Sequence, residues 1–306
     1  MSNVRGRIAV FDSGMGGLDV AAALSRVLPK EQLVYLGDNA RVPYGTKSAE
    51  MVRSYTYEAA NRLLAHNIKA LVIACNTASA AVDISALAQK INIPVFGMIE
   101  AGVLACQNLI STKPDLHYEI ITLATPGTIR SQAYQSALQS SFPHVTQKAI
   151  ACPIFVPLVE MGWESHSLTT EIIKAQLAEL FTHHTTKSHD LKSHHKPKVS
   201  HEKIYLLGCT HYPMMKEAIQ TALDELHNSQ VHLPFIPFHC LDGAKSVAYL
   251  VQQRLSALSL LKTETEHGPH QVYLTDKPNG QHYNELALRF WHKRGGLGEL
   301  NIQYAP

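Results

Sequence analysis

Apolar residues along this chain gather into short runs that break off on polar groups, and stretches with one apolar helical face separate the runs. Arg7-Ile-Ala-Val-Phe-Asp12 reads as a strand, closed by Ser13-Gly-Met-Gly-Gly17 and followed by a helix through Val20, Leu24 and Val27. Gln32-Leu-Val-Tyr-Leu36 is a second strand, and Val52, Tyr55, Ala59 and Leu63 mark a helix that starts at about Ser48 and stops near Asn67. Leu71-Val-Ile-Ala74 is a third strand, which runs straight into Cys75 and an Ala-rich helix. Further strands are expected at 93–97, 118–124, 145–150, 204–208, 231–238 and 271–275. Helices are expected through Leu168, Ile172, Ile173, Leu177 and Leu180, over 213–227, through Val247 and Leu250, and over 283–291.

Alternation of this kind argues for an α/β fold of two similar domains, each a mainly parallel sheet with helices on both faces. Ligands of such sheets bind beyond the C-terminal strand ends, which here carry Asp12, Tyr44, Cys75, Thr125, Glu160 and Cys209. If the two thiols share a ligand, the site lies in a cleft between the domains. The expected division is then 1–98 with 205–306 as the first domain and 99–204 as the second.

Composition narrows the class. A length of 306 residues suits about two domains, and 45% hydrophobic residues can fill their cores. A net charge of +2 gives no global reason to bind nucleic acid or a membrane surface. No segment has the pattern of a signal peptide or the run of about 18 apolar residues that spans a bilayer, so a cytoplasmic protein is expected. The five cysteines are widely spaced with no CxxC pair, which fits neither a disulfide framework nor a zinc ribbon. From Thr182 to Lys203 the chain turns polar and basic and holds six of its eighteen histidines. Without cysteine partners or fixed spacing, this stretch, centred on about 183–202, reads as a surface insertion rather than a metal site.

The glycines after the first strand invite a dinucleotide site, but Asp19 stands where the third glycine of GxGxxG belongs and no Gly-Lys-Ser/Thr follows. A tight loop that brings backbone amides and Asp12 close to a small ligand is the better reading. In Gly37-Asp-Asn-Ala-Arg-Val-Pro-Tyr-Gly45, the polar groups either meet a ligand or pair among themselves, Asp38 with Arg41 and Tyr44. Thr125 and Thr128 are placed to bind a carboxylate or to cap a helix. Glu160, at the end of a proline-stiffened apolar run, sits at a pocket wall or in an exposed helical turn.

Cys106, Cys152 and Cys240 read as small buried hydrophobes. Cys75 and Cys209 differ, because Asn76 and Thr77 flank one, Thr210 and His211 flank the other, and each is expected beside a helix N-terminus that favours thiolate. A cysteine protease or transferase leaves the second thiol without a task, and a dithiol oxidoreductase wants its pair close together. A racemase without a cofactor needs two bases on opposite sides of one carbon, each able to take a proton as thiolate or return it as thiol. Asp12 and His211 are the nearest groups to assist.

The motifs Phe11-Asp-Ser-Gly, Gly37 to Gly45, Cys75-Asn-Thr-Ala-Ser and Gly208-Cys-Thr-His-Tyr-Pro213, in this order and over nearly the whole chain, closely resemble the glutamate racemases of bacterial cell-wall synthesis. Related aspartate racemases carry an acid where His211 stands. The resemblance implies interconversion of L- and D-glutamate by Cys75 and Cys209, assisted by Asp12, Glu160 and His211, with no cofactor and no metal. It implies substrate contacts from Asp12, Ser13, Tyr44, Gly45, Asn76, Thr77, Thr125, Thr128, Thr210 and His211. A homodimer is compatible with it and is not decided by the pattern. Two alternatives remain at this level: a racemase of aspartate or hydantoin type, and a non-catalytic amino-acid binding protein.

Overall fold

The computed structural model of the chain describes residues 6–182, 201–229, 236–264, 268–276 and 281–304. It starts with β1 (Arg7–Asp12), α1 (Leu18–Val27), β2 (Leu33–Gly37), α2 (Ala49–Leu64) and β3 (Ile68–Ile73). Then come α3 (Asn76–Ala81), α4 (Ile84–Ile91), β4 (Val95–Gly97) and α5 (Met98–Ile110). The middle of the chain forms β5 (His117–Ala124), α6 (Pro126–Arg130), α7 (Ala133–Ser141), β6 (Thr146–Ala151), α8 (Phe155–Glu160), α9 (Ser167–Leu177) and α10 (Glu179–Thr182). It continues through β7 (His201–Gly208), α11 (Lys216–Asn228) and β8 (Phe238–Leu241), and last come α12 (Ala244–Ala257), β9 (His270–Leu274), α13 (Gln281–Lys293) and β10 (Leu300–Tyr304).

Two sheets result, ordered β10-β9-β2-β1-β3-β4 and β6-β5-β7-β8, with every pair parallel. The inner strands of the first sheet are largely apolar because helices cover both faces, and β2 and β3 are buried along their whole length. In each sheet one strand has its sequence neighbours on opposite sides, β1 between β2 and β3, β5 between β6 and β7. Loops diverge from such a switch point and leave a crevice above it. One apolar cluster runs from Ile8 and Val10 of β1 through α1 and α12 to Tyr205 and Leu207 of β7, so the two sheets share a core.

The α/β expectation of two parallel sheets matches the structure, but the expected return to the first sheet at about 205 does not. β7 pairs with β5 from His117↔His201 to Ala124↔Gly208, and β8 pairs with β7, so both belong to the second sheet. The first sheet regains the chain at β9. Polar residues open β7, and they are matched: Glu202 meets Lys113 and His239, and Lys203 lies 3.8 Å from Glu119. The strand expected over 231–238 is β8, four residues at Phe238–Leu241, while 231–235 fall outside the described residues. Most of the His-rich tract, 183–200, also lies outside them. Asp19, the residue that spoiled the dinucleotide pattern, accepts from Arg294 at 2.8 and 2.7 Å, and the same guanidinium reaches Asp242 at 3.0 Å. Burial pushes its carboxyl up to about 6 against the pull of Arg294.

Ser79 fixes the short helix α3 that follows Cys75. Its hydroxyl donates to Ile73 O at 2.7 Å and accepts from Met98 N at 3.0 Å, joining the end of β3 to the start of α5. Ser79→Ala leaves that buried N–H unpaired, and urea unfolding is expected to show a loss of about 2 kcal/mol.

Candidate active site

Asp12 ends β1 and is fully buried. Its Oδ2 accepts from Gly14 N at 3.0 Å and its Oδ1 from Thr210 Oγ1 at 3.4 Å. Burial raises the carboxyl above its usual range, and the charge of His211 pulls the other way. Cys75 occupies the N-cap of α3, where its sulfur accepts from Ala78 N at 3.4 Å and lies 3.5 Å from Ser13 Oγ. The helix end was expected to favour thiolate. Burial and the neighbouring Asp12 charge outweigh it and push the Cys75 thiol up to about 12, so the resting group is a thiol.

Cys209 follows β7. The helix expected to start at Pro213 begins as a 3₁₀ turn over Tyr212–Met215, and α11 starts only at Lys216, so no α-helix N-terminus adjoins the second thiol. His211 takes that place. Burial disfavours its charge, yet the adjacent Cys209 sulfur and Glu160 carboxylate push the imidazole up to about 10. Glu160 Oε1 lies 3.3 Å from His211 Nε2, an ion pair without hydrogen-bond alignment. Phe290 backs the ring edge-on at 5.3 Å, and Thr210 Oγ1 lies 3.5 Å from Nδ1. Asp12, Thr210, His211 and Glu160 therefore form one polar chain behind the second thiol.

Both thiols, 5% and 7% exposed, line one cavity of about 430 Å³. Around them stand Ser13, Gly45, Asn76, Thr77, Thr125, Glu160, Thr210 and His211, and no Lys or Arg is among the described lining residues. That volume is in the range of small-molecule sites, about 300–1,000 Å³. A cavity lined by two thiols, hydroxyls and amides can hold an anion by directed donors, and a thiol is a group able to give or take a proton.

Three residues read as substrate contacts do not reach the cavity wall. Asp12 lies beneath it. Tyr44 is buried and its hydroxyl donates to Asp38, which also accepts from Arg41 at 2.7 Å and Thr275 at 2.9 Å, so these groups pair among themselves. Thr128 is fully buried behind Thr77 and Thr125, and the three hydroxyls stand 2.9, 3.1 and 3.0 Å apart. Thr125 caps α6 with Pro126 next to it. Wall residues the sequence reading missed are Val42, Pro43, Thr46, Pro126, Pro153, Val156, Pro157 and Met161. The prolines of 153–157 signalled a stiff segment but not which side of it faces a ligand. Among the described residues, no group of three or more His, Cys, Asp or Glu is placed to hold a metal ion, and no helix is long and apolar enough to cross a membrane.

Comparisons agree with this architecture. A family model described as Asp/Glu/Hydantoin racemase matches residues 17–183. A glutamate racemase of Geobacter metallireducens is 37% identical over 293 residues, 96% of this chain and 94% of that protein. A crystal structure of a Bacillus anthracis glutamate racemase isoform superposes with a TM-score of 0.76 at 30% identity, covering 98% of each chain. The Francisella tularensis glutamate racemase, solved in complex with D-glutamate, gives 0.74 at 30% identity over 97% of each chain.

Proposed function

We propose that this chain, which belongs to the Asp/Glu/Hydantoin racemase family and is an amino-acid racemase, interconverts L- and D-glutamate with two cysteine acid/bases and no cofactor. The observation that carries the reading is that Cys75, after a strand of the first sheet, and Cys209, after a strand of the second, line one cavity. One sulfur as thiolate takes the α-hydrogen as a proton, which leaves the electron pair on the substrate's carbanion. The other, as thiol, returns a proton to the opposite face. Each turnover thus swaps the protonation states of the two sulfurs, and exchange with solvent resets them.

The two sides are unequal at rest. Cys75 holds its proton tightly, and the His211 cation lies against Cys209. By the resemblance, Cys209 takes the proton of L-glutamate and Cys75 returns one to the opposite face. The reverse direction needs the Cys75 proton to leave first, with Asp12 next to it. Aspartate is disfavoured by His211, since the resemblance puts an acid there in aspartate racemases. The product would supply D-glutamate for bacterial peptidoglycan, as the resemblance implies.

The test is incubation with L-glutamate alone, followed by circular dichroism of the substrate, with aspartate and a hydantoin in parallel. Binding of glutamate without loss of optical rotation would leave only the binding-protein reading. The same assay checks a pH dependence. His211 stays cationic up to about pH 10, so kcat/KM is expected to fall as pH rises through that value and its proton is lost. A decline at the ordinary imidazole value of about 6.5 would contradict the role given to the Cys209–His211–Glu160 contact.

A further inference from the structure

We propose that Tyr134 is a positioning residue for this reaction, its phenol holding the Asn76 amide with the N–H side turned to the substrate; this rests on the racemase reading of the cavity. Tyr134 lies in α7, on the second sheet's side, and Asn76 opens α3 next to Cys75 on the first. The phenol oxygen is 2.6 Å from Asn76 Oδ1 and 3.0 Å from Met98 O. It has one proton to give. Met98 is the first residue of α5, and its carbonyl is satisfied by the N–H four residues on, whereas Asn76 Oδ1 has no other donor among the described residues, so the shorter contact takes the phenol's proton.

That choice fixes the amide. With Oδ1 engaged by the phenol, Nδ2 meets no protein acceptor among the described residues, and Asn76 lies in the cavity wall. Its two N–H groups are left for an acceptor on the ligand, which suits a carboxylate. Rotated by half a turn, the amide would present its oxygen to that carboxylate and repel it.

The surroundings are shaped for the phenol. Tyr134 is 1% exposed, and a β-carbon at Gly102 would stand 2.7 Å from its Cε1 and 2.8 Å from its hydroxyl. One at Gly208 would stand 3.1 Å from Cε2. Glycines on α5 and at the end of β7 therefore form a slot that lets the ring cross between the sheets and end on Asn76. None of this touches the reacting carbon. Tyr134 acts through Asn76.

Tyr134→Phe keeps the ring in its slot and removes only the hydroxyl. We expect KM for both enantiomers to rise about five- to tenfold, with kcat changed less than about twofold, because the lost contact orders binding in the ground and transition states alike. In an Asn76→Ala background the same substitution should change KM less than about twofold, since the group it orients is gone. An unchanged KM in Tyr134→Phe, or an undiminished effect in the Asn76→Ala background, would overturn the assignment and make the phenol a packing group. Calorimetric dissociation constants for D-glutamate, measured with Cys75→Ala added so that no turnover occurs, repeat the comparison. Wild-type turnover of glutamate, measured first, reports on the racemase reading alone, so failure of that reading is distinguishable from failure of this one.

Discussion

Cys75→Ala and Cys209→Ala are each expected to abolish racemisation, with a loss of about 10²–10⁴-fold or more, because each removes an obligatory acid or base and nothing else in the cavity replaces it. The thiols are small and the substitutions conserve most of their volume, so thermal unfolding should still show a folded protein. Cys106 is as buried as either thiol but lies inside α5, away from the cavity, and Cys106→Ala should leave turnover within about twofold. Deuterated water separates two bases from one. With two, the acid that protonates the second face already carries solvent deuterium, so newly formed D-glutamate should be deuterated at the α-carbon from the first turnovers while residual L-glutamate keeps its hydrogen. With one, the abstracted hydrogen returns to either face. Substantial protium in early product, or racemisation surviving in either folded variant, would remove one sulfur from the mechanism.

L- and D-glutamate have the same free energy in water, which constrains how any variant of this site can fail. The ratio of kcat/KM in the two directions must remain one. A change at Cys209, His211 or Cys75 therefore lowers both directions together, and asymmetry between the halves can appear only in the separate kcat and KM values or in isotope exchange. Directional roles for Asp12 and His211 have to be sought there.

Much of the site was legible because buried parallel strands leave a plain trace: an apolar run that stops on a functional group. β1 stops on Asp12, β3 leads to Cys75, β5 to Thr125 and β7 to Cys209, and each loop sits where the pattern put it. Which sheet a strand joins left no such trace. All-parallel strands covered on both faces look alike, and the pairings that place β7, such as Glu119↔Lys203, join residues far apart in sequence. Helix α5 escaped for a local reason. α5 starts directly on Gly97 with no side-chain cap, and Gly102 interrupts its pattern as a breaker would. The structure gives that glycine a packing reason, since the Tyr134 ring fills the place of its side chain. Among the hydroxyls, one turn of helix separates Thr125 at the cavity from Thr128 behind it, a distinction that spacing alone does not draw.

Gly16→Ala is expected to lower kcat/KM by about 10²-fold in both directions, whereas Gly14→Ala, two residues away, should stay within about twofold. In the loop Ser13-Gly-Met-Gly-Gly17, side chains following the second sheet's β7 press on Gly16 and not on Gly14. A β-carbon at Gly16 would stand 2.6 Å from His211 Nδ1 and 2.8 Å from Cε1, and closer still to Thr210 Oγ1. Neither neighbour is a flexible end: Phe290 backs the imidazole at 5.3 Å, and the threonine hydroxyl is on a short, β-branched side chain. The loop or the Thr210–His211 pair has to shift, which moves the cation away from Cys209, and a displacement of about 1 Å in a catalytic group can cost 10²-fold. At Gly14 the added carbon meets only Val42 Cγ2, at 3.6 Å, an ordinary contact. The Gly14 N–H that binds Asp12 is retained in alanine. Steady-state kinetics on the two purified variants, with thermal unfolding alongside, decide the matter. Equal activities for the pair would mean that the loop yields without moving His211, and that the close approach does not set the geometry of the Cys209 side.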